Sequence, residues 1–328
     1  MSNKLDNLIK RQLGQSGIEV SGMGLGCWAI GGPFFMDGEP RGWGNVDDNE
    51  SIKAIQHALE LGVTFIDTAD VYGTGHSEKV VGKALKGKRQ DVILASKFGY
   101  AFHAETRSIT GRDISADYIR RACEDSLNRL QTDYIDLYQL HSGDQSAGVV
   151  DALEGLVREG KIRTYGWSTN SATDAARFLD GSHFSAVQAE INIFHDAPEM
   201  LEFCESNNLA AICRGPLAMG FLTGKFNSDS QLPKDDVRGV GFDWVECFTD
   251  GRPNPDYLKR LESIREVLTS NGRTLTQGAL AWLWARSSQT IPIPGFRNIA
   301  QVDENAKAMQ MGPLTADQMQ EIETILGR

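Results

Sequence analysis

The chain has 328 residues, 41% of them hydrophobic and 23% charged, and a formal net charge of −11. A length of this order suits one α/β barrel or two ordinary domains. The acidic balance argues against a general nucleic-acid or anionic-membrane surface, though it leaves room for a locally basic pocket. Cys27, Cys123, Cys204, Cys213 and Cys247 are odd in number and form no CxxC pair, so no disulfide framework or metal site is expected. Residues 1–13 lack the apolar stretch of a signal peptide. No run reaches the roughly 20 apolar residues of a spanning helix. A cytoplasmic protein is the expectation.

Taken in order, residues 9–20 alternate around Gly14 to Gly17 and predict a small hairpin. Residues 23–28 read as a strand that enters a glycine-rich loop, 29–46, holding Phe34, Phe35 and Trp43. Asp47 or Asp48 caps a predicted helix to Leu61, with Ile52, Ile55, Ala58 and Leu59 at helical spacing. A strand at 63–66 stops at Asp67, and Tyr72 follows in a turn. Ser77 is read as the cap of a helix over 78–85, and a strand at 92–95 ends at Ser96 and Lys97. Ser115 opens a helix with Ala122, Cys123, Ser126, Leu127 and Leu130 on one side, and strand 134–140 ends at His141.

The alternation continues with helix 147–159, strand 163–167 ending at Ser168, helix 172–180 and strand 186–187 ending at Gln188. Helix 197–206 and strand 210–213 come next, then an irregular stretch over 214–255. Helices 256–270 and 275–286, strand 290–293 and helices 299–308 and 316–326 complete the chain. Short apolar strands alternating with helices predict a parallel sheet. Eight of them predict an α/β fold of the (β/α)8 TIM barrel type, with an N-terminal β-hairpin and extra C-terminal helices, as one domain over 1–328. The alternative, an open doubly wound sheet, normally carries a GxGxxG turn. Gly22 to Gly26 has the wrong spacing for that turn, and residues 73–78 lack its third glycine.

In such a barrel the active site lies at the C-terminal ends of the strands. Those ends carry Asp67, Lys97 and His141 on three successive strands, with Tyr72 beside them. Each alone has a plain structural reading: a turn acid, a solvated lysine, a packed histidine. Together they make a chemistry. A phenol near pKa 10 is a poor proton donor near neutrality, and an adjacent ammonium lowers it. Lys97 supplies that charge, Asp67 holds the lysine, and His141 reaches the oxygen of a bound carbonyl. This set suits carbonyl reduction, with the hydride drawn from a cofactor because no side chain donates one.

The sequence Asp67-Thr68-Ala69-Asp70-Val71-Tyr72-Gly73, with Lys97 and His141, resembles the aldo/keto reductase family. The resemblance runs from the hairpin to Asn305. It implies NADPH-dependent reduction of aldehydes or ketones to alcohols, with Asp67, Tyr72, Lys97 and His141 catalytic. It also implies that Cys27, Trp28 and Asp67 border the cofactor, and that Ser168, Thr169 and Gln188 hold the nicotinamide carboxamide. Arg214 and Gly215 lie just ahead of the expected pyrophosphate strap, which runs from Pro216, Leu217 and Ala218 to Lys225. Gly295, Arg297, Gln301, Glu304 and Asn305 form its adenosine end.

The residues themselves support that last placement. A helix starting near Asn298 offers free amides to an anion and Arg297 adds a planar fork, which favours NADP(H) over NAD(H). Thr169, where the family often has Asn, and Arg214-Gly215, where it often has an aromatic and Ser, depart from the pattern. So does Gly143, in a loop where the family often has proline. Two other readings stand beside this one: a nicotinamide-binding regulatory or sensor subunit with little turnover, and a barrel lyase using Lys97 as a Schiff-base amine. Trp28, Phe34, Phe35, Trp43, Trp244 and Phe248 fall in loops around the expected mouth and suggest an apolar pocket for a small carbonyl substrate.

Overall fold

The computed structural model describes residues 8–142 and 148–328. Gly143, Asp144 and the first residue of the helix expected from 147 lie outside the described residues. Eight parallel strands form one sheet in strict chain order: β1 (Gly24–Gly26), β2 (Phe65–Asp67), β3 (Ile93–Phe98), β4 (Ile135–Leu140), β5 (Ile162–Ser168), β6 (Phe184–Glu190), β7 (Ala210–Arg214) and β8 (Thr290–Pro292). The sheet curls until its two edges meet. Gly26 bridges Gly295, and its amide donates to the Pro294 carbonyl at 3.0 Å. A Cβ on Gly26 would lie 2.6 Å from the Ile293 carbonyl oxygen, so the seam needs glycine there.

Among the described residues ten helices run outside the strands: α1 (Asp48–Glu60), α2 (His76–Ala84), α3 (Ala116–Leu130), α4 (Val149–Arg158), α5 (Ala172–Ala175), α6 (Pro198–Ser206), α7 (Pro255–Thr269), α8 (Leu275–Arg286), α9 (Ile299–Lys307) and α10 (Ala316–Leu326). Capping follows local chemistry. Asp47 accepts from the Asn49 and Glu50 amides ahead of α1, and Ser115 accepts from Tyr118 ahead of α3. Helix α8 is nearly all buried, and Trp284 on it donates to the Gly22 carbonyl at 2.7 Å.

The N-terminal hairpin pairs Lys10–Gln12 with Glu19–Ser21. Its Leu13, Ile18 and Val20 join Phe65, Ala95, Leu137, Ala186, Ala210, Ile212 and Ile291 in one buried cluster. The hairpin therefore plugs the end of the barrel opposite the strand C-termini.

Several sequence expectations change. Ser77 does not cap α2; the cap is Gly75, with φ 93°, and Ser77 sits inside the helix. Its hydroxyl instead donates to the Cys27 carbonyl and accepts from Thr68, each at 2.9 Å, tying β1 to the Tyr72 turn. Strand β3 runs on through Lys97 to Phe98, so the lysine lies within the strand. The helix expected over 172–180 is a single turn that passes into a 3-10 turn, Ala176–Phe178. A four-stranded sheet, unforeseen, joins the loop after β1 (Phe35–Met36, Glu39–Pro40) to a hairpin after β3 (Tyr100–His103, Ser108–Arg112).

Candidate active site

The barrel interior orders the site. Phe65, Ala95, Leu137, Ala186 and Ile212 face inward as part of the apolar plug. Side chains on a strand alternate, so two residues further along each the same face presents Asp67, Lys97, Gln139, Gln188 and Arg214. One step beyond Gln139 on that face is His141. An apolar floor thus gives way to a ring of polar groups at the C-terminal ends.

Lys97 is fully buried, and its three ammonium donors have three acceptors. Nζ donates to Asp67 Oδ1 at 2.5 Å and to the Thr68 carbonyl at 2.8 Å, and it lies 3.4 Å from Tyr72 Oη. The other carboxylate oxygen, Asp67 Oδ2, accepts from Gln139 Nε2 at 3.0 Å and Gln188 Nε2 at 2.8 Å. Asp67 is thereby fixed by side chains from β3, β4 and β6. The Tyr72 ring meets the His141 ring edge-on, with centroids 5.7 Å apart. Tyr100, from the unforeseen sheet, stands edge-on to His141 at 5.4 Å. His141 Nδ1 is buried and has no partner among the described residues.

Burial and charge set the protonation states. Burial acts most strongly on Lys97 and disfavours its charge, but Asp67 and Tyr72 together outweigh it and raise its pKa. The lysine is an ammonium. His141 is held well below the usual imidazole value by burial, then by the charges of Lys97 and Arg214. It is neutral. The phenol does not follow the sequence expectation of a lowered pKa: burial raises it, Lys97 pulls it down, and burial prevails. Burial is the larger effect, and Lys97, 2.5 Å from Asp67 but 3.4 Å from the phenol, does not offset it.

Aromatic side chains wall the mouth. Trp28 stacks on Tyr72 with centroids 6.1 Å apart, and Trp244 stacks on Trp28 at 6.4 Å. Phe242 continues the column against Trp244, and Arg41 closes it over Phe242. Trp43 meets Trp28 edge-on at 5.3 Å. Phe34 and Phe248 are buried loop anchors instead; Phe34 packs with Ala69 and Val71 beneath the Tyr72 turn.

The residues assigned to the cofactor are placed unevenly. The Cys27 thiol is turned into the core, its pKa pushed up by burial, and the Cys27 amide and carbonyl are bonded to Asp67 and Ser77. Only Trp28 of that pair faces the mouth. Ser168 ends β5 half-buried, and the Thr169 amide donates to the Gln188 carbonyl at 2.9 Å. Gln188 lies at the mouth, but its amide nitrogen is engaged by Asp67 and by Gln139. Arg214 donates to Glu190 and to Asn170, at 3.1 Å each, so the asparagine one place past Thr169 orients the arginine that departs from the family pattern.

The strap from Gly215 through Leu217 turns sharply. Gly215, Ala218, Met219 and Gly220 all have positive φ, and the turn closes on itself, the Ala218 amide donating to the Gly215 carbonyl and the Gly220 amide to the Leu217 carbonyl, each at 2.9 Å. Lys225 lies beyond it. Its pKa is lowered by burial first, then by Arg238, against Asp236, with Arg297 adding to the repulsion. Arg238 itself is buried, bidentate to Asp236 at 2.8 and 2.6 Å and bonded to the Met219 carbonyl. Lys225 lies in the field of Arg238 and Arg297, with Asp236 opposing them.

At the expected adenosine end, Asn298 caps α9 through the Gln301 amide, and Gln301 accepts from the Arg297 amide at 2.7 Å. Gly295 forms the barrel seam, Glu304 is half-buried, and the buried Asn305 Nδ2 has no partner among the described residues. The Arg297 guanidinium reaches across to the loop after β1 and donates to the carbonyls of Trp43 and Asn45.

Gln139, Asn170 and Arg238 escaped the sequence reading. Gln139 was legible as the polar residue two places before His141 on an otherwise apolar strand. Asn170 and Arg238 act through loop geometry and left no such signal.

The chain matches the aldo/keto reductase family model over residues 22–326 and belongs to that family. It is an oxidoreductase of a family that binds nicotinamide cofactors. It is 33% identical over 305 residues to an aldo-keto reductase of Schizosaccharomyces pombe whose name specifies NADP(+), covering 89% of this chain and 84% of that one. The solved holo aldo-keto reductase of Bacillus halodurans aligns with a TM-score of 0.77 at 33% identity, covering 97% of this chain and 96% of that one. A glycerol dehydrogenase of Gluconobacter oxydans aligns with a TM-score of 0.82 at 31% identity, covering 97% and 95%. Among the described residues no helix is long and apolar enough to cross a membrane.

Proposed function

We propose that this protein reduces aldehydes or ketones to alcohols with NADPH, Tyr72 giving the proton. The observation that carries this reading is the buried chain Asp67–Lys97–Tyr72, with a neutral imidazole facing the phenol. Lys97, held as an ammonium by Asp67, stabilises negative charge as it develops on the phenol oxygen. His141 in its neutral form donates one ring N–H to the carbonyl oxygen and orients it toward Tyr72. The phenol's raised pKa keeps it protonated at neutral pH, which is the form a proton donor needs. Asp67, held by Gln139 and Gln188, keeps the lysine in register.

Bound NADPH supplies the hydride. The field of Lys225, Arg238 and Arg297 fits a ligand rich in phosphate. The unpartnered Asn305 amide and the start of α9 fit its adenosine end. Arg297 has five donors, and the loop carbonyls take two, so the rest remain for a 2′-phosphate. The S. pombe relative's NADP(+) name supports the same choice. Catalysis through a Lys97 Schiff base has the opposite requirement, a lysine of lowered pKa.

Tyr72→Phe removes one hydroxyl and is expected to lower kcat by about 10²–10⁴-fold with NADPH affinity unchanged. NADPH oxidation against a panel of aldehydes, ketones and sugars, beside fluorescence titration of the cofactor, checks this. Turnover equal to the parent removes Tyr72 as donor. Absence of turnover in the parent, with NADPH still bound, favours the sensor reading.

A further inference from the structure

Behind the Tyr72 turn lies a second buried charge cluster that the proposed reaction leaves unused. Asp70, two residues before Tyr72, is 1% exposed, and Glu78 on α2 is fully buried. Both oxygens of Glu78 are engaged. Ser96 Oγ donates to Oε1 at 2.5 Å, and Arg129 Nε, from α3, donates to Oε2 at 2.6 Å. Asp70 is left over: its Oδ1 is buried and has no partner among the described residues. The hydroxyl of Tyr138 on β4, in the same region, is buried and unpartnered too.

The count of charges decides the protonation. Two carboxyls face one guanidinium in a dry interior, and two like charges there cannot both persist. Glu78, with two donors on its oxygens, is the better ion. The proton therefore belongs on Asp70. The groups that face it are Glu78 on α2, Arg129 and Tyr118 on α3, Tyr138 on β4 and Lys97 on β3. Burial first and Glu78 second raise its pKa well above the carboxylate range, against Arg129, the Val71 amide and Lys97.

We propose that Asp70 is a neutral carboxylic acid at physiological pH and serves as a positioning residue for Tyr72. This rests on reading Tyr72 as the proton donor. The Asp70 amide donates to the Lys97 carbonyl at 3.3 Å, which fixes the start of the turn on β3. Its side chain is buried and lies in the field of Glu78 and Arg129. A neutral side chain adds no further carboxylate to compete with the phenol for Lys97. A carboxylate at this point repels Glu78, draws on the field of Lys97 and presses the turn outward.

Infrared difference spectroscopy of the full chain tests the protonation directly. The parent is expected to show a protonated-carboxyl stretch at neutral pH that is lost in Asp70→Asn. In Glu78→Gln the pH at which that band disappears moves down, because the repelling neighbour is gone. Kinetically, Asp70→Asn, a neutral isostere, keeps kcat near the parent's and holds it at alkaline pH, where the parent declines. Asp70→Ala loses about 10–100-fold in kcat with little change in KM, the scale of a misplaced reacting group.

No band lost in Asp70→Asn, or an Asn variant as impaired as Asp70→Ala, overturns the inference. If Asp70→Ala fails to fold, the infrared comparison and the Asn variant's pH profile decide alone. Loss of the infrared prediction leaves the donor reading untouched. A fully active Tyr72→Phe overturns the donor reading while the band remains.

Discussion

The two halves of the barrel mouth are built differently. On the β2–β4 side the polar groups rise from strands, deep in the barrel, and Asp67, Lys97 and Gln139 complete one another. On the β7–β8 side they sit at a strand end, as Arg214 does, or on loops, as Arg238 and Arg297 do, and most of their partners are loop residues. Arg297 holds Trp43 and Asn45, Arg238 holds Asp236 and Met219, and Arg214 holds Glu190 and Asn170. The strand side is a fixed arrangement of charge suited to chemistry. The loop side is a set of donors with provisional partners, suited to taking up and releasing a large anion. Rigid placement serves the step that needs sub-ångström geometry, and exchangeable partners serve binding.

The sharpest way to break that contrast is on the strand side. Asp67→Asn leaves the Lys97 ammonium buried with its charge uncompensated. Removing one partner of a buried pair costs about 3–5 kcal/mol, and the proposed chemistry loses its support as well. Urea denaturation is expected to show that fall together with near-complete loss of carbonyl reduction. A variant as stable as the parent means that water reaches the pair.

The loop side should respond to Arg297→Ala by a smaller amount and in two places at once. A charge-assisted hydrogen bond contributes about 1.5–3 kcal/mol, so NADPH affinity is expected to fall roughly 10–100-fold while NADH changes less. Amide exchange over 41–46 should quicken even without cofactor, because the carbonyls of Trp43 and Asn45 lose their tether. Equal losses for NADPH and NADH in fluorescence titration remove Arg297 from the 2′-phosphate. Unchanged exchange in the loop removes it as a tether.

This division also explains what the sequence let one read. The alternation of strands and helices, and the polar residues at strand ends, belong to periodic structure, so the barrel and the grouping of Asp67, Tyr72, Lys97 and His141 were legible. Gln139 obeyed the same period and was legible in principle. Ser77 looked like a cap because it precedes a helical run, but the positive φ of Gly75 started the helix earlier. The four-stranded sheet over the mouth was hidden, since its strands are short and its two halves pair across about 70 residues of chain, as with Phe35 and Ser108. The phenol's raised pKa was hidden for a different reason: spacing brings Lys97 near Tyr72 but does not say how deeply the phenol is buried.

The smallest effect is expected where the two halves touch. Trp244 comes from the loop side, remains 46% exposed, and reaches Tyr72 only through Trp28. Stacked aromatic pairs contribute about 0.5–1.5 kcal/mol beyond the area they bury, and an exposed member shields less. Trp244→Ala is therefore expected to lower stability by about 1 kcal/mol or less, to leave kcat for a small aldehyde near the parent value, and to raise KM for a bulky aromatic one several-fold. The same kinetics on both aldehydes tests it. A matching fall in kcat for the small aldehyde means that the column positions the phenol itself, so that the loop side takes part in the chemistry and the contrast fails.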